Sequence, residues 1–133
     1  MIKTTIYVLG NPVVSSDNAA VKLIPRLGKS FPHINIVHFD TTEELPAALN
    51  QNLILIDTVI GIERVKKFDD LDQWKLSPRV TVHDYDLPLM LGVLKKLRKI
   101  KNITIFGIPE KGNRKIFLKD LGKYLQPAEF EEM

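Results

Sequence analysis

Residues Ile6 to Ala20 read IYVLGNPVVSSDNAA, and this stretch decides the fold. It begins as an apolar strand, turns at Gly10, and presents an acid, Asp17, where a helical pattern begins. In α/β proteins this place is the carboxyl edge of a parallel strand, where such sheets build their ligand sites. The stretch therefore predicts a strand, a turn and a helix, with a potential functional acid between them.

Two later stretches end in a similar way. The apolar run Leu53 to Ile56 leads directly into Asp57. The short extended run Arg79 to Val82 leads into His83. Because the carboxyl ends of parallel strands meet at one edge of a sheet, we expect Asp17, Asp57 and His83 to converge. Two carboxylates and an imidazole suit nickel, zinc, manganese or iron, and the chain has no Cys to add a softer ligand.

Each of these three residues also has an ordinary structural interpretation. Asp17 can cap a helix, and Asp57 can cap the turn after its strand. His83 can be a hydrogen-bonded loop histidine. Their occurrence after three separate strand-like runs favours one shared site over three unrelated structural roles. His38 and Asp40 also lie at a strand end, and they are reserve candidates for this site.

Strand and helix patterns alternate along nearly the whole chain. Strands are predicted at Thr4–Leu9, Ile34–Phe39, Leu53–Asp57 and Ile103–Ile108, with short extended runs at Val80–Val82 and, as a charged edge hairpin, Glu63–Phe68. Helices are predicted at Asp17–Gly28, Asp86–Lys99 and Asn113–Leu125, with a short one at Thr42–Leu49. This alternation predicts a single α/β domain over residues 1–133, a three-layer sandwich in which a mostly parallel sheet of about five strands carries helices on both faces.

Two of these helices carry specific expectations. Gly28 is the expected stop of the first helix, and Pro25 predicts either a kink or a stop at Ile24 followed by a restart. The last helix is amphipathic. Its expected inward residues are Ile116, Phe117, Leu121, Tyr124 and Leu125.

Composition excludes several classes of protein. With 44% hydrophobic and 26% charged residues, the chain has the balance of a soluble globular domain. No apolar run reaches the roughly 18 residues of a membrane span, and no secretory pattern opens the chain, so we expect a cytoplasmic protein. A net charge of +3 gives no strong reason to expect binding to nucleic acid. The single glycine of the first turn, Gly10, does not make the GxGxxG pattern of a dinucleotide site.

Taken in order, the motifs resemble those of the nickel-dependent endopeptidases that mature [NiFe] hydrogenases. The strand, GN turn and acid of that family correspond to Val8–Asp17. Its strand ending in Asp corresponds to Leu53–Asp57, and its later His, just before a helix, to His83. Its G-I/V-x-P-E type ending is similar to Phe106–Glu110. The similarity extends over roughly residues 4 to 125.

The resemblance implies both an activity and a partner. Such enzymes remove a C-terminal extension from the hydrogenase large-subunit precursor after nickel has been inserted. They hold no permanent metal, so the Ni²⁺ is supplied by the precursor. Asp17, Asp57 and His83 would be the metal contacts and catalytic residues, and a monomer is favoured.

The sequence departs from that family at several positions. Ser16 stands where the family has its first acid, and Ala20 where it has a glycine. Pro25 interrupts the first helix, and Asp40–Glu43 replaces a Gly-rich loop. These departures keep a second interpretation open, a non-catalytic accessory protein that binds the precursor or nickel without cleaving it. A nucleotide- or flavin-binding domain is a third interpretation, which the missing glycines disfavour.

Overall fold

The computed structural model describes residues 4–10, 19–39, 53–69 and 102–126 of the 133-residue chain. In chain order, its elements are strand β1 (Thr4–Leu9), a 3₁₀ turn (Val21–Leu23), helix α1 (Ile24–Ser30), strands β2 (Ile34–Phe39), β3 (Leu53–Val59), β4 (Lys66–Phe68) and β5 (Ile103–Pro109), and helix α2 (Arg114–Tyr124). The predicted strands and helices that fall in these ranges are therefore present. The predicted elements Thr42–Leu49, Val80–Val82 and Asp86–Lys99 lie outside the described residues.

Within this part of the chain, five strands form one sheet in the order β2-β1-β3-β5-β4. β1 pairs with β2 and β3 in parallel, and β3 pairs with β5 in parallel. Only β4 runs antiparallel, beside β5. A mostly parallel sheet of five strands with helices confirms the predicted α/β fold class.

Strand β3 lies at the centre of the sheet, and all seven of its residues are buried. A run of buried apolar residues is typical of a parallel strand covered on both faces. The strand does not end at Asp57 as predicted. It continues through Thr58 and Val59 because β5 continues beside it, where Ile108 and Pro109 are their register partners.

In the segment before β2, a 3₁₀ turn ends at Leu23 and α1 begins at Ile24, which corresponds to the expected stop and restart at Ile24. A 3₁₀ turn precedes α1, and Pro25 lies in the first turn of α1, where its missing N–H removes no helical hydrogen bond. The predicted stop at Gly28 is wrong, because α1 continues to Ser30. The helix ends instead at Phe31, whose N–H donates to the Leu27 carbonyl at 2.9 Å and whose side chain is buried.

Helix α2 begins after Asn113, whose side-chain oxygen accepts from the N–H of Lys115 at 2.8 Å and of Ile116 at 3.4 Å. This is the arrangement of an N-cap, which supplies an acceptor to the free N–H groups of the first turn. Phe117 and Leu121 are buried as predicted, four residues apart on one face. The prediction for Ile116 is wrong. The side chain of Ile116 points away from that face and is 42% exposed.

One face of the sheet carries both described helices. A single buried cluster combines alternate residues of the strands with residues of α1 and α2; its members include Ile6, Val8, Ile54, Ile56, Phe106, Ile108, Leu27, Phe117 and Leu121. Residues of the opposite face, among them Leu53, Leu55 and Ile105, are buried as well, as a three-layer arrangement requires. Neither described helix is long and apolar enough to span a bilayer.

Strand β4 confirms the predicted charged edge. Lys66 and Lys67 are exposed there, and charged side chains at a sheet edge oppose pairing with another chain. Only Lys66–Phe68 forms the strand, and it pairs with β5. It is therefore not part of a hairpin with the preceding strand, because β5 lies between β3 and β4.

Candidate functional site

The candidate site lies at the carboxyl edge of the sheet, where β1 and β3 end side by side. The two strands are parallel, with Val8 opposite Ile56. Asp57 therefore lies one residue beyond this pair, close to the end of the central strand. In open α/β sheets, ligands bind outside this edge. The strand topology thus brings Asp57 to the edge at which the sequence predicted a site.

Asp57 is only 3% exposed, although it is ionisable. Its Oδ1 accepts a hydrogen bond of 2.9 Å from the backbone N–H of Thr58. A buried carboxylate needs hydrogen bonds or charge partners, because leaving water otherwise costs several kcal/mol. The bond from Thr58 fixes one carboxylate oxygen in a defined direction. Asp57 is therefore an oriented, buried carboxylate within the strand.

Gly107 is the register partner of Asp57 on the neighbouring strand β5. A Cβ at this position would lie 2.8 Å from Cγ2 of Val59 and 3.0 Å from Cε2 of Phe68. Carbon atoms in contact ordinarily lie about 3.5–4.0 Å apart, so the site has no room for a side chain here. The close packing of Val59 and Phe68 beside Asp57 therefore requires a glycine at position 107.

Thr58 connects the end of β3 to the segment that follows the first turn. Its Oγ1 accepts a hydrogen bond of 3.2 Å from the N–H of Ala20, 38 residues earlier in the chain. Thr58 is 1% exposed and Ala20 is fully buried. Ala20 is the residue that precedes the 3₁₀ turn, so this bond satisfies a backbone donor that the turn itself leaves free.

The other two predicted site residues, Asp17 and His83, lie outside the described residues, as does Asp40. Asp17 comes three residues before Ala20 in the sequence. Among the residues that the structure describes, no three His, Cys, Asp or Glu side chains form a group able to hold a metal ion. Only Asp57 of the predicted triad belongs to that set, so the triad stays a prediction.

Two histidines within the described ranges can be placed. His38, a reserve candidate, lies near the carboxyl end of β2, with its Nε2 2.8 Å from the carbonyl oxygen of Gly10. It therefore holds the start of the first turn. His33 precedes β2 at the opposite, amino edge, and its Nε2 lies 2.9 Å from the carbonyl oxygen of Leu125. His33 joins the end of α2 to the base of the sheet and is remote from the candidate site.

Sequence reasoning missed the parts played by Thr58 and Gly107. A glycine inside a buried strand is a signal of close approach, and Gly107 gave that signal. Thr58 gave none, because a β-branched residue is common in any strand and its partner Ala20 is distant in the sequence.

The second buried acid of the described chain, Asp120 on α2, has a structural role. Arg64 donates to it from Nε at 2.8 Å and from Nη2 at 2.5 Å. These hydrogen bonds, together with the charge of Arg64, hold the pKa of Asp120 below its ordinary value, against the effect of burial. The pair joins the segment between β3 and β4 to α2. Asp57, by contrast, lies within a strand at the edge where ligands bind.

No protein-family model matches the chain, and no curated protein matches its sequence. Solved structures do match its fold. The hydrogenase maturating endopeptidase HybD from E. coli is 19% identical, with a TM-score of 0.61 over 98% of this chain and 89% of that one. The [NiFe] hydrogenase maturation protease HybD from Thermococcus kodakarensis is 18% identical, with a TM-score of 0.56 over 81% of this chain and 80% of that one.

A third match is an uncharacterized protein from Wolinella succinogenes, 15% identical, with a TM-score of 0.54 over 98% of this chain and 94% of that one. Identities this low establish shared architecture and nothing finer. The agreement in fold extends over most of each chain. The chain therefore has the fold of the [NiFe] hydrogenase maturation proteases.

Proposed function

We propose that this protein is a divergent [NiFe] hydrogenase maturation endopeptidase. It removes the C-terminal extension of a hydrogenase large-subunit precursor after nickel has been inserted, and it acts in the cytoplasm as a monomer. The nickel belongs to the precursor and is part of the substrate. The fold shared with two such enzymes supports the proposal, and so does the order of the sequence motifs.

The observation that carries the proposal is the placement of Asp57. A carboxylate follows four buried apolar residues in a fully buried strand, near the carboxyl edge of the sheet. Hydrophobic packing gives no reason for an acid there, and a buried carboxylate has to be satisfied by hydrogen bonds or charge partners. Strained or costly groups cluster at functional sites, because function retains them where stability would not.

In this proposal Asp57 acts together with Asp17 and His83. Two carboxylates and one imidazole are hard and borderline ligands that suit a divalent nickel ion. The N–H of Thr58 occupies Oδ1 of Asp57 and orients the carboxylate, as groups behind metal ligands commonly do. A metal ion held beside the scissile peptide polarises its carbonyl or a water molecule.

The proposal is tested by incubating the protein with a nickel-loaded large-subunit precursor and measuring release of the C-terminal fragment by mass spectrometry. We expect cleavage by the wild type. Loss of a group that only supports a metal ligand typically costs roughly 10- to 100-fold in activity. Because Asp57 is proposed as a metal contact itself, Asp57→Asn should reduce the cleavage rate by more than that.

Asp120→Asn is the matched control, because it makes the same chemical change at the other buried acid of the described chain. It should lower stability and leave the cleavage rate of the folded protein unchanged. Absence of cleavage by the wild type, or equal rates for Asp57→Asn and Asp120→Asn, contradicts the protease proposal.

The accessory-protein interpretation makes a different prediction in the same assay. It is favoured by Ser16, which stands where the family has its first acid. An accessory protein would bind the nickel-loaded precursor, lose affinity on His83→Ala, and release no fragment. Binding without cleavage by the wild type therefore selects this alternative.

A further inference from the structure

We propose that Thr58 is a positioning residue, whose hydroxyl sets the segment before the 3₁₀ turn in place against the strand end that carries Asp57. This inference rests on the proposed function, since it assigns a role within that site. It concerns the two positions, Thr58 and Ala20, that a single buried hydrogen bond joins.

Thr58 makes two hydrogen bonds, one through its N–H and one through its hydroxyl. Its N–H donates to Oδ1 of Asp57 at 2.9 Å, and its Oγ1 accepts from the N–H of Ala20 at 3.2 Å. Successive residues of a strand point to opposite faces, so Asp57 and Thr58 lie on opposite faces of β3. One residue thus connects the carboxylate on one face with the backbone on the other.

The hydrogen bond between Thr58 and Ala20 is buried. Thr58 is 1% exposed and Ala20 is 0% exposed, so the bond between them is closed to bulk water. If the hydroxyl were removed, the N–H of Ala20 would have to find another partner or remain unpaired, which is unfavourable for a buried donor. The backbone around Ala20 would then shift toward an alternative acceptor. The hydroxyl of Thr58 therefore holds this backbone against β3.

Ala20 lies a short distance in sequence from Asp17, the other predicted acid. Asp17 precedes Ala20 by three residues, a length of chain that spans at most about 11 Å. Fixing Ala20 to the residue that follows Asp57 restricts how far the two acids can separate. A shared metal requires ligand atoms within about 2 Å of the ion, so small displacements matter.

The test compares three variants. Thr58→Val keeps the shape and the backbone N–H but removes the acceptor. Thr58→Ser keeps the acceptor. Ile54→Val, a buried change on the same strand and the same face, is the control for a loss of stability without a change of hydrogen bonding.

Two quantities are measured for folded protein, the steady-state cleavage of nickel-loaded precursor and the dissociation constant for Cd²⁺ alone. We expect Thr58→Val to lower kcat about 10- to 100-fold with little change of KM, and to weaken Cd²⁺ binding by a similar factor. Thr58→Ser should restore both, and Ile54→Val should match the wild type.

The outcomes separate the two proposals. If the wild type cleaves and Thr58→Val matches Ile54→Val, the positioning role is wrong and the protease function stands. If the wild type does not cleave, the protease function is wrong and Cd²⁺ affinity decides the positioning role. Selective weakening by Thr58→Val then supports it, whereas equal affinities, or no Cd²⁺ binding by the wild type, overturn it.

Discussion

At the scale of single residues, the described chain buries two carboxylates in two different ways. Asp120 forms a bidentate ion pair with Arg64, whose side chain is largely exposed. Asp57 lies inside the buried central strand, and one of its oxygens accepts a hydrogen bond from the N–H of Thr58. The first arrangement stabilises a contact between elements. The second orients an acid at the edge where α/β sheets bind ligands, which is why we propose a functional role for it.

Gly107→Ala tests how closely the chain packs beside Asp57. The added methyl group would meet side-chain atoms of Val59 and Phe68 at 3.0 Å or less, so one of them must move. Overpacking of this kind typically costs about 1–3 kcal/mol. We expect the free energy of unfolding, measured in urea, to fall by that amount.

Gly28→Ala is the matched control for that substitution. Gly28 lies in α1, is exposed, and has no atom within 4 Å of an added Cβ. Alanine is favoured over glycine in a helix by about 1 kcal/mol, so this variant should be more stable than the wild type. Equal effects of the two substitutions would mean that Gly107 is not tightly packed.

At the scale of secondary-structure elements, side-chain contacts fix how the helices attach to the sheet. Arg64, in the segment between β3 and β4, is joined to Asp120 on α2. Thr58, on β3, is joined to the backbone ahead of α1. Both contacts connect segments more than 35 residues apart in the chain, so neither could be read from local sequence patterns.

The contact between Arg64 and Asp120 predicts a specific pH dependence of stability. The hydrogen bonds from Arg64 lower the pKa of Asp120 in the folded protein. A lowered folded pKa stabilises the protein fully above the unfolded value of about 3.9, and this stabilisation is lost as the pH falls toward the folded pKa. The stability difference between wild type and Asp120→Asn should therefore be constant near neutral pH and shrink below about pH 4.

Asp69→Asn provides the control for this titration. Asp69 is exposed and lies 3.6 Å from Nζ of Lys67, in a surface ion pair that contributes little to stability. Its stability difference from the wild type should be small at every pH. Chemical denaturation of all three proteins between pH 3 and pH 7 measures both effects. A constant difference for Asp120→Asn down to pH 3 would contradict the assignment.

At the scale of the whole molecule, the α/β fold was predictable because its signals are periodic and local. The apolar runs at Thr4–Leu9 and Ile34–Phe39 predicted strands with the observed bounds. Helix ends were harder, because Gly28 was expected to end α1 and the buried Phe31 ends it instead. The order of strands in the sheet, with β5 between β3 and β4, depends on tertiary pairing that no local pattern contains.

The candidate site was predictable only in part, for the same physical reason. The place of Asp57 near the end of a buried strand follows from the apolar run that precedes it. Its orientation by Thr58, and the need for Gly107 beside it, arise from contacts formed only when the sheet assembles. Convergence with Asp17 and His83 stays a prediction from the order of the sequence motifs, and the cleavage and Cd²⁺ experiments test it.

The complete burial of β3 has a consequence for local unfolding. Amide hydrogens of central strands exchange with solvent only through the largest opening events, up to global unfolding. With parallel partners on both sides, the amides of β3 should show exchange free energies close to the global stability, whereas those of the three-residue edge strand β4 should exchange through smaller openings. Native-state hydrogen exchange followed by NMR measures both. Asp57 would then lie in the part of the protein that unfolds last.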